Sequence, residues 1–286
     1  MKLNEIMMDH GNLKYLTFEE IDRIGFVSHL FSTRFGGVSK GIYESMNLGF
    51  CRGDKDENVM NNFGIIAKAL DSKLEDFVLT DQTHTTNIYK VTTKDKGKGL
   101  LVPRDYSDID GFITNEPGIV LSTFFADCVP LFFVDPVHKA IGLSHSGWRG
   151  TVDKIGRKTV EAMKIEFGTN PQDVIAGIGP SICRGCYEVS EDVAFLFEDA
   201  FLQKAAENRN QCDTLQKILY KNENKKYQLD LWLANKLILE EVGVKENNIS
   251  ISGICTCCNH NLLFSHRKSL GKRGNLGAFI KLKIEK

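Results

Sequence analysis

A chain of 286 residues is long enough to bury a substantial core, as one large domain or two small ones. Its 36 lysines and arginines balance 37 acidic residues, which excludes a global field drawing it to nucleic acid or to an acidic membrane. The opening stretch Met1 to Gly11 is polar and lacks an apolar signal-peptide core. The longest apolar run, around Ile119 to Phe133, is interrupted by Asp127 and Pro130 and falls short of a membrane span. These features predict a cytoplasmic protein in which disulfides are disfavoured, so the eight cysteines read as core filler, metal ligands or catalysts.

Short apolar, β-branched or aromatic runs predict strands at Gly25 to Phe31, Asn87 to Val91, Gly111 to Ile113, Gly118 to Phe124, Leu131 to Asp135, Ala140 to His145, Val174 to Ile178, Ile249 to Ile254 and Leu276 to Ile284. Spaced apolar residues predict a helix over Asn58 to Leu70, with Val59, Phe63, Ile66 and Leu70 on one face. A second, Val152 to Phe167, carries Ile155, Val160, Met163 and Ile165, and Glu191 to Lys204 and Leu229 to Val242 complete the set. Lys94 to Gly99 reads as a charged surface loop, and the lysines from Lys281 to Lys286 as a solvated strand end. No internal repeat is evident, and strands and helices do not alternate strictly. The prediction is a mixed α/β (α+β) single domain over residues 1–286 rather than a regular doubly wound sheet.

Chemistry concentrates around Ala126-Asp127-Cys128-Val129-Pro130-Leu131 and Ser144-His145-Ser146-Gly147-Trp148-Arg149-Gly150-Thr151. A thiol and an imidazole each adjoin a strand-like run, and His84 lies in similar polar punctuation upstream. The three could be a zinc set with an open position, a cysteine nucleophile with its base, or core residues. Spacing alone leaves these open. The glycines after His145 can bring backbone amides to an anion ahead of a helix, with Arg149 adding a charged fork, although an ordinary tight turn explains them equally well. Arg34 and Asn47 flank a second glycine-rich loop and are the kind of groups that bind phosphate or a base edge; turn chemistry accounts for them too.

Three further motifs stand apart. Cys183-Arg184-Gly185-Cys186 has zinc-knuckle spacing, and Cys255, Cys257 and Cys258 could complete a four-thiolate site. The irregular flanking sequence favours instead unpaired thiols in a loop and a strand end. Asp108 and Asp110 would crowd two carboxylates on one face of a strand, a conflict that a turn removes. Phe264 to Lys268 reads either as a ligand-facing cluster or as a charged sheet edge.

Taken in order, Ser32 to Gly37 with Asn47-Leu48-Gly49, Gln82-Thr83-His84, Asp108 to Gly111, Ala126 to Leu131, Ser144 to Thr151, Gly179-Pro180-Ser181 with Cys186 to Val189, and Phe264 to Arg267 resemble one family over nearly the whole chain. It is the laccase-domain or polyphenol-oxidase-like family, which includes the peptidoglycan editing factor and enzymes described as purine nucleoside phosphorylases. The resemblance implies a sandwich of two packed mixed β-sheets with outer helices, similar to a bacterial deamidase toxin. It implies a catalytic zinc on His84, Cys128 and His145, with copper as the second candidate metal. It also implies phosphorolysis of adenosine, inosine and methylthioadenosine, and deamination of adenosine. Against the family pattern, His266 replaces a tyrosine, Asn275 an arginine, and Phe63 an arginine.

The leading expectation is thus a zinc enzyme acting on purine nucleosides and phosphate, with no nucleic-acid or membrane partner and with monomer or dimer left open. Arg34, Asn47 and Arg149 are the expected substrate or phosphate contacts. The alternatives are a cysteine hydrolase built on Cys128, a copper-linked phenol oxidase, and a binding or editing factor for a cell-wall precursor. Oxidation ranks low because one His₂Cys set lacks the several copper centres that four-electron reduction of oxygen needs.

Overall fold

The computed structural model describes residues 1–8, 11–202, 217–224 and 226–284. Its strands in chain order are β1 (Lys2–Met8), β2 (Gly11–Thr17), β3 (Val27–Ser32), β4 (Phe77–Leu79), β5 (Ile88–Lys90), β6 (Gly111–Thr114), β7 (Val120–Phe125) and β8 (Val129–Asp135). They continue with β9 (Ala140–Ser146), β10 (Ile175–Ile178), β11 (Glu188–Val189), β12 (Leu219–Lys221), β13 (Tyr227–Leu229), β14 (Ile249–Ile251) and β15 (Leu276–Leu282). The α-helices are α1 (Glu19–Asp22), α2 (Asp56–Ala69), α3 (Trp148–Val152), α4 (Ile155–Phe167), α5 (Glu191–Leu202), α6 (Leu231–Glu241) and α7 (His266–Ser269).

Two six-stranded sheets form the body, in the orders β1-β2-β3-β15-β7-β4 and β14-β10-β8-β9-β6-β5; β11, β13 and β12 make a small third sheet. Both large sheets are mixed, with parallel pairs at β4–β7, β5–β6 and β10–β14. Side-chain alternation along β8 explains the layering. Phe132 and Val134 face β15 residues such as Ala278 and Ile280 in the core between the sheets, whereas Leu131 and Phe133 face α4 and α6. On β15, Phe279 turns the other way, towards Val59, Phe63 and Ile66 of α2. Buried on both faces, β8, β9 and β15 read in the sequence as continuous apolar runs rather than alternating ones. The mixed α/β sandwich with outer helices follows as expected.

Several local expectations need correction. The predicted helix Val152 to Phe167 is two helices, α3 and α4, broken by Lys154 in a left-handed conformation (φ 58°). Ile165 is exposed, not on the packed face, because two residues beyond buried Met163 carry it about 200° around the helix. The strand from Ile249 stops at Ile251, ahead of a left-handed Gly253. Lys281 is not solvated: it is buried, and its Nζ donates to the Asp71 carbonyl and the Ser72 hydroxyl. The predicted helix end at Gln203 and Lys204 lies outside the described residues. Sequence reading also missed β1, which is largely solvent-facing, its hairpin partner β2, and the two- and three-residue strands β4, β11, β12 and β13.

Candidate metal centre and substrate cavity

Three chain reversals meet at one end of the sandwich. Cys128 ends the turn from β7 into β8, His145 sits near the end of β9, and His84 lies in the loop between β4 and β5. Pro130 pairs with His145 and Val129 with Ser146, so the β8–β9 ladder fixes the thiol and the imidazole side by side. One ligand atom from each of His84, Cys128 and His145 lies within 4.8 Å of the others. The two imidazoles meet edge to face with centroids 4.9 Å apart. His84 is held at φ 66° and Asp127 at φ 93°, left-handed conformations that non-glycine residues enter only when surroundings enforce them.

Asp127 is held by the Thr256 hydroxyl and the Arg267 amide, and His84 by Asp110. The Asp110 Oδ1 lies 2.7 Å from His145 Nδ1, and its Oδ2 accepts the Thr83 and Thr85 amides at 3.0 and 2.8 Å, bracketing His84. Burial favours its neutral form, but His145 and the amides outweigh that and hold its pKa below the usual carboxylate value. Asp108, by contrast, is exposed at φ 56°, which settles the apparent clash of the two carboxylates as a turn. Gly147 has a steric role: a Cβ there would sit 2.9 Å from the His84 ring and 3.2 Å from Cys128 Sγ. The helix that follows, α3, begins at Trp148 rather than Val152.

Electrostatics couple the three donors. Burial alone would raise the Cys128 thiol, yet the charge and hydrogen bonds of His145, aided by His84, draw it down to about 6. Burial would lower His145, but the Cys128 thiolate and the Asp110 hydrogen bond raise it to about 9. Both shifts run towards thiolate and imidazolium and away from the neutral pair. The nitrogen, nitrogen and sulfur donor set, with a carboxylate behind one imidazole, suits zinc, whose catalytic sites use three protein ligands. Binding would displace the proton from His145.

The centre lies in the wall of a cavity of about 880 Å³, of a size that takes a nucleoside. Phe124, Trp148 and Tyr187 supply aromatic surface, and Arg52, Arg104, Arg267 and Arg273 supply charge. Arg104 is neutralised by Asp81 at 3.0 Å, and Arg267 is spent on the carbonyls of Cys186 and Glu188. Arg273 is different. Burial and the nearby Arg52 lower its pKa to about 10, and its buried Nε has no hydrogen-bond partner among the described residues. Two like charges and an orphaned donor define a place for an anion.

The expected substrate contacts fare differently. Arg34 does not line the cavity: it donates to the carbonyls of Glu44 and His260 and lies over the Phe264 ring. Asn47 is fully buried behind the wall, accepting from the Gly49 and Asn275 amides and donating to Asp54. Its amide braces the wall through these bonds. Arg149 is exposed at the rim, stacked 4.2 Å over Trp148. Arg52 and Arg273 were cavity residues that sequence reading did not single out, and Asp110 was read only as one of two crowded carboxylates. Of the departures from the family pattern, His266 and Asn275 line the cavity, whereas Phe63 is sealed behind Phe50 and Phe124. Ser265 caps α7 through the Lys268 amide, so the Phe264–Lys268 segment is a helix start facing the cavity, not a sheet edge.

The model of the family described as multi-copper polyphenol oxidoreductase laccase matches residues 28–283. The chain belongs to that family. A relative from Bacillus subtilis (strain 168), named purine nucleoside phosphorylase YlmD, is 41% identical over 257 residues, covering 88% of this chain and 87% of its own. Another, from an unknown prokaryotic organism and named adenosine deaminase RL5, is 30% identical over 262 residues, covering 87% and 94%. Among solved structures, a Bacillus licheniformis hypothetical protein YfiH superposes with a TM-score of 0.84 at 35% identity over 94% of this chain and 96% of that one. Both named relatives are enzymes, which supports reading this chain as an enzyme too. No helix among the described residues is long and apolar enough to cross a membrane.

Proposed function

We propose that the protein is a zinc-dependent purine nucleoside phosphorylase that also deaminates adenosine, working as a single domain on purine nucleosides and phosphate. The observation that carries this reading is the convergence of His84, Cys128 and His145 on a cavity that also presents Arg52 and Arg273, whose Nε has no partner among the described residues. The names of the two relatives support the substrate class. Bound to His84, Cys128 and His145, zinc supplies a Lewis acid facing the cavity.

The chain's own residues account for the rest. Asp110 fixes the rings of both histidines, directly for His145 and through the Thr83 and Thr85 amides for His84. Arg52 and Arg273 hold phosphate and keep it anionic. The aromatic wall takes the purine, and its apolar surface keeps water from the sugar. As the C1′–N9 bond breaks, the purine takes the bonding pair and gains a proton from water or from the phosphate, C1′ becomes electron-poor, and a phosphate oxygen held by the arginines completes the new bond there. Arg149 and Trp148 border the entrance.

One observation favours a second reading. Cys128 and His145 lie side by side at the end of the β8–β9 ladder, and each draws the other's pKa towards the charged form, as in a cysteine nucleophile and its base. Metal dependence separates the two. Phosphate-dependent release of hypoxanthine from inosine is measured alongside zinc content in wild type and His84→Ala. Loss of both activity and one zinc equivalent is expected in the variant. Equal rates and equal zinc would overturn the site, and activity that survives chelation but not Cys128 alkylation would establish the thiol mechanism instead.

A further inference from the structure

The parallel neighbours β10 and β14 leave their sheet at the same end, and the segments that follow run together. Ser181 bridges Cys255, with the Ser181 amide on the Ile254 carbonyl and the Thr256 amide on the Ser181 carbonyl. That pairing brings two Cys-x-x-Cys steps face to face, although corresponding cysteines lie 72 residues apart in sequence. The Sγ atoms of Cys183, Cys186, Cys255 and Cys258 all lie within 4.8 Å of one another, and those of Cys186 and Cys258 are 3.4 Å apart. Unpaired thiols in separate surface segments, as the flanking sequence suggested, would not gather so.

We propose that Cys183, Cys186, Cys255 and Cys258 hold a second metal ion, a structural zinc, separate from the cavity centre. Four thiolates around zinc at about 2.3 Å place the sulfurs about 3.8 Å apart, within the spread observed. A disulfide needs about 2.05 Å, and all four cysteines are free. The backbone supplies an independent sign. Cys255 Sγ accepts the amides of Cys183 at 3.3 Å and Cys258 at 3.4 Å, bonds that favour a thiolate. Both steps are tight turns: the Cys186 and Tyr187 amides return to the Cys183 carbonyl, and the Asn259 amide to that of Cys255. Cys257, between two ligands of one turn, is left outside the set. The doubly negative cluster would have the Arg267 guanidinium close by, bonded to the Cys186 carbonyl.

The ion would clamp a wall of the cavity. Ile182 and Tyr187, on either side of the first cysteine step, both line it, and the Ile182 amide donates to Asp127 beside Cys128. Because no donor is shared with the cavity centre, the two sites stand or fall separately.

The test is metal analysis and X-ray absorption on the full chain, purified under reducing conditions from zinc-supplemented cells. His84→Ala/His145→Ala protein should retain one equivalent of zinc coordinated by sulfur alone. Cys186→Ser/Cys258→Ser protein should lose one equivalent relative to wild type. If the serine variant does not fold, the histidine variant decides alone. Zinc absent from it, zinc with nitrogen or oxygen ligands, or an alkylation mass showing the four thiols as disulfides would each overturn the proposal. A sulfur-only zinc in a chain inactive on nucleosides would uphold this site while removing the proposed function.

Discussion

Asp110 and His145 are joined by a 2.7 Å contact between Oδ1 and Nδ1, with both side chains buried. This leaves the other nitrogen of His145 to face Cys128 and His84. The second oxygen of Asp110 holds the loop of His84, so one carboxylate aims both imidazoles. Removing a carboxylate behind a metal-binding histidine typically costs 10- to 100-fold in metal affinity or activity. Asp110→Asn should lower zinc affinity by about that factor, since the amide cannot accept from the His145 ring and from two backbone amides as the carboxylate does. Competition with a chromophoric chelator measures it. Unchanged affinity would mean that backbone strain alone orients the histidines.

Gly147 tests the same centre from the opposite side. Its φ of −73° suits any residue, so space rather than backbone conformation demands glycine. In Gly147→Ala the new methyl meets the His84 ring at 2.9 Å and Cys128 Sγ at 3.2 Å, and His84, on an exposed loop, is the group able to move. The expected outcome is a steep loss of nucleoside turnover and zinc affinity while the melting temperature shifts by only a few degrees, as for about 1 kcal/mol in a chain this size. A variant with full turnover would show that the His84 position is not demanding.

How far these relationships could be read in advance depends on how local they are. β8 and β9 were legible because strands buried on both faces are unbroken apolar runs, and the α2 face because Val59, Phe63, Ile66 and Leu70 repeat at helical spacing. The hairpin of β1 and β2 was not, because its outer strand has no fully buried residue to betray alternation. His84, Cys128 and His145 stood out as reactive groups at strand ends, but only the family pattern joined them. Asp110 looked like a turn residue because its partners lie 25 and 35 residues away. The four-cysteine cluster was open as an alternative but undecided for a similar reason: it depends on β10 and β14 being parallel neighbours, which no local pattern encodes. Arg34 and Asn47 are bonded within the protein instead, because a glycine-rich loop places polar groups on a carbonyl or a neighbouring amide as readily as on a ligand.

His29 sets an acid limit on stability. Its ring is buried against Phe18 and Phe132, and its Nε2 accepts the Phe18 amide at 2.8 Å, so the folded state needs it neutral. Nδ1 faces Asp22 at 3.5 Å without forming a hydrogen bond. Burial lowers its pKa from 6.5 to about 3. Because the folded value lies below the unfolded one, the unfolded chain takes up the proton first. The stabilisation is complete above about pH 6.5 and is lost as pH falls towards 3, by about 1.4 kcal/mol per pH unit. His29→Gln keeps an acceptor for the Phe18 amide and cannot titrate. Urea unfolding between about pH 7 and 4.5 should show a shallower pH slope in the variant by roughly that amount. Parallel slopes would show that His29 is not neutral in the folded state.

Arg273 separates the two reactions proposed for the cavity. Phosphorolysis consumes phosphate and deamination does not, so a residue that serves only the anion should affect one and spare the other. Arg273 has the features of such a residue. Its Nη1 is anchored to the Gly274 carbonyl and the Asn275 side chain, its Nε is buried and unpartnered among the described residues, and Arg52 lies near enough to lower its pKa. An anion between the two guanidiniums would relieve their repulsion and satisfy the orphaned donor. Arg273→Ala should raise the KM for phosphate at least about tenfold, the equivalent of losing about 1.4 kcal/mol of charge-assisted hydrogen bonding. Arg273→Lys should recover part of this, since it restores the charge without the fork. Adenosine deamination should change little in either variant. Equal losses in both reactions would instead assign Arg273 to the purine or ribose, or to the shape of the wall that it shares with Asn275.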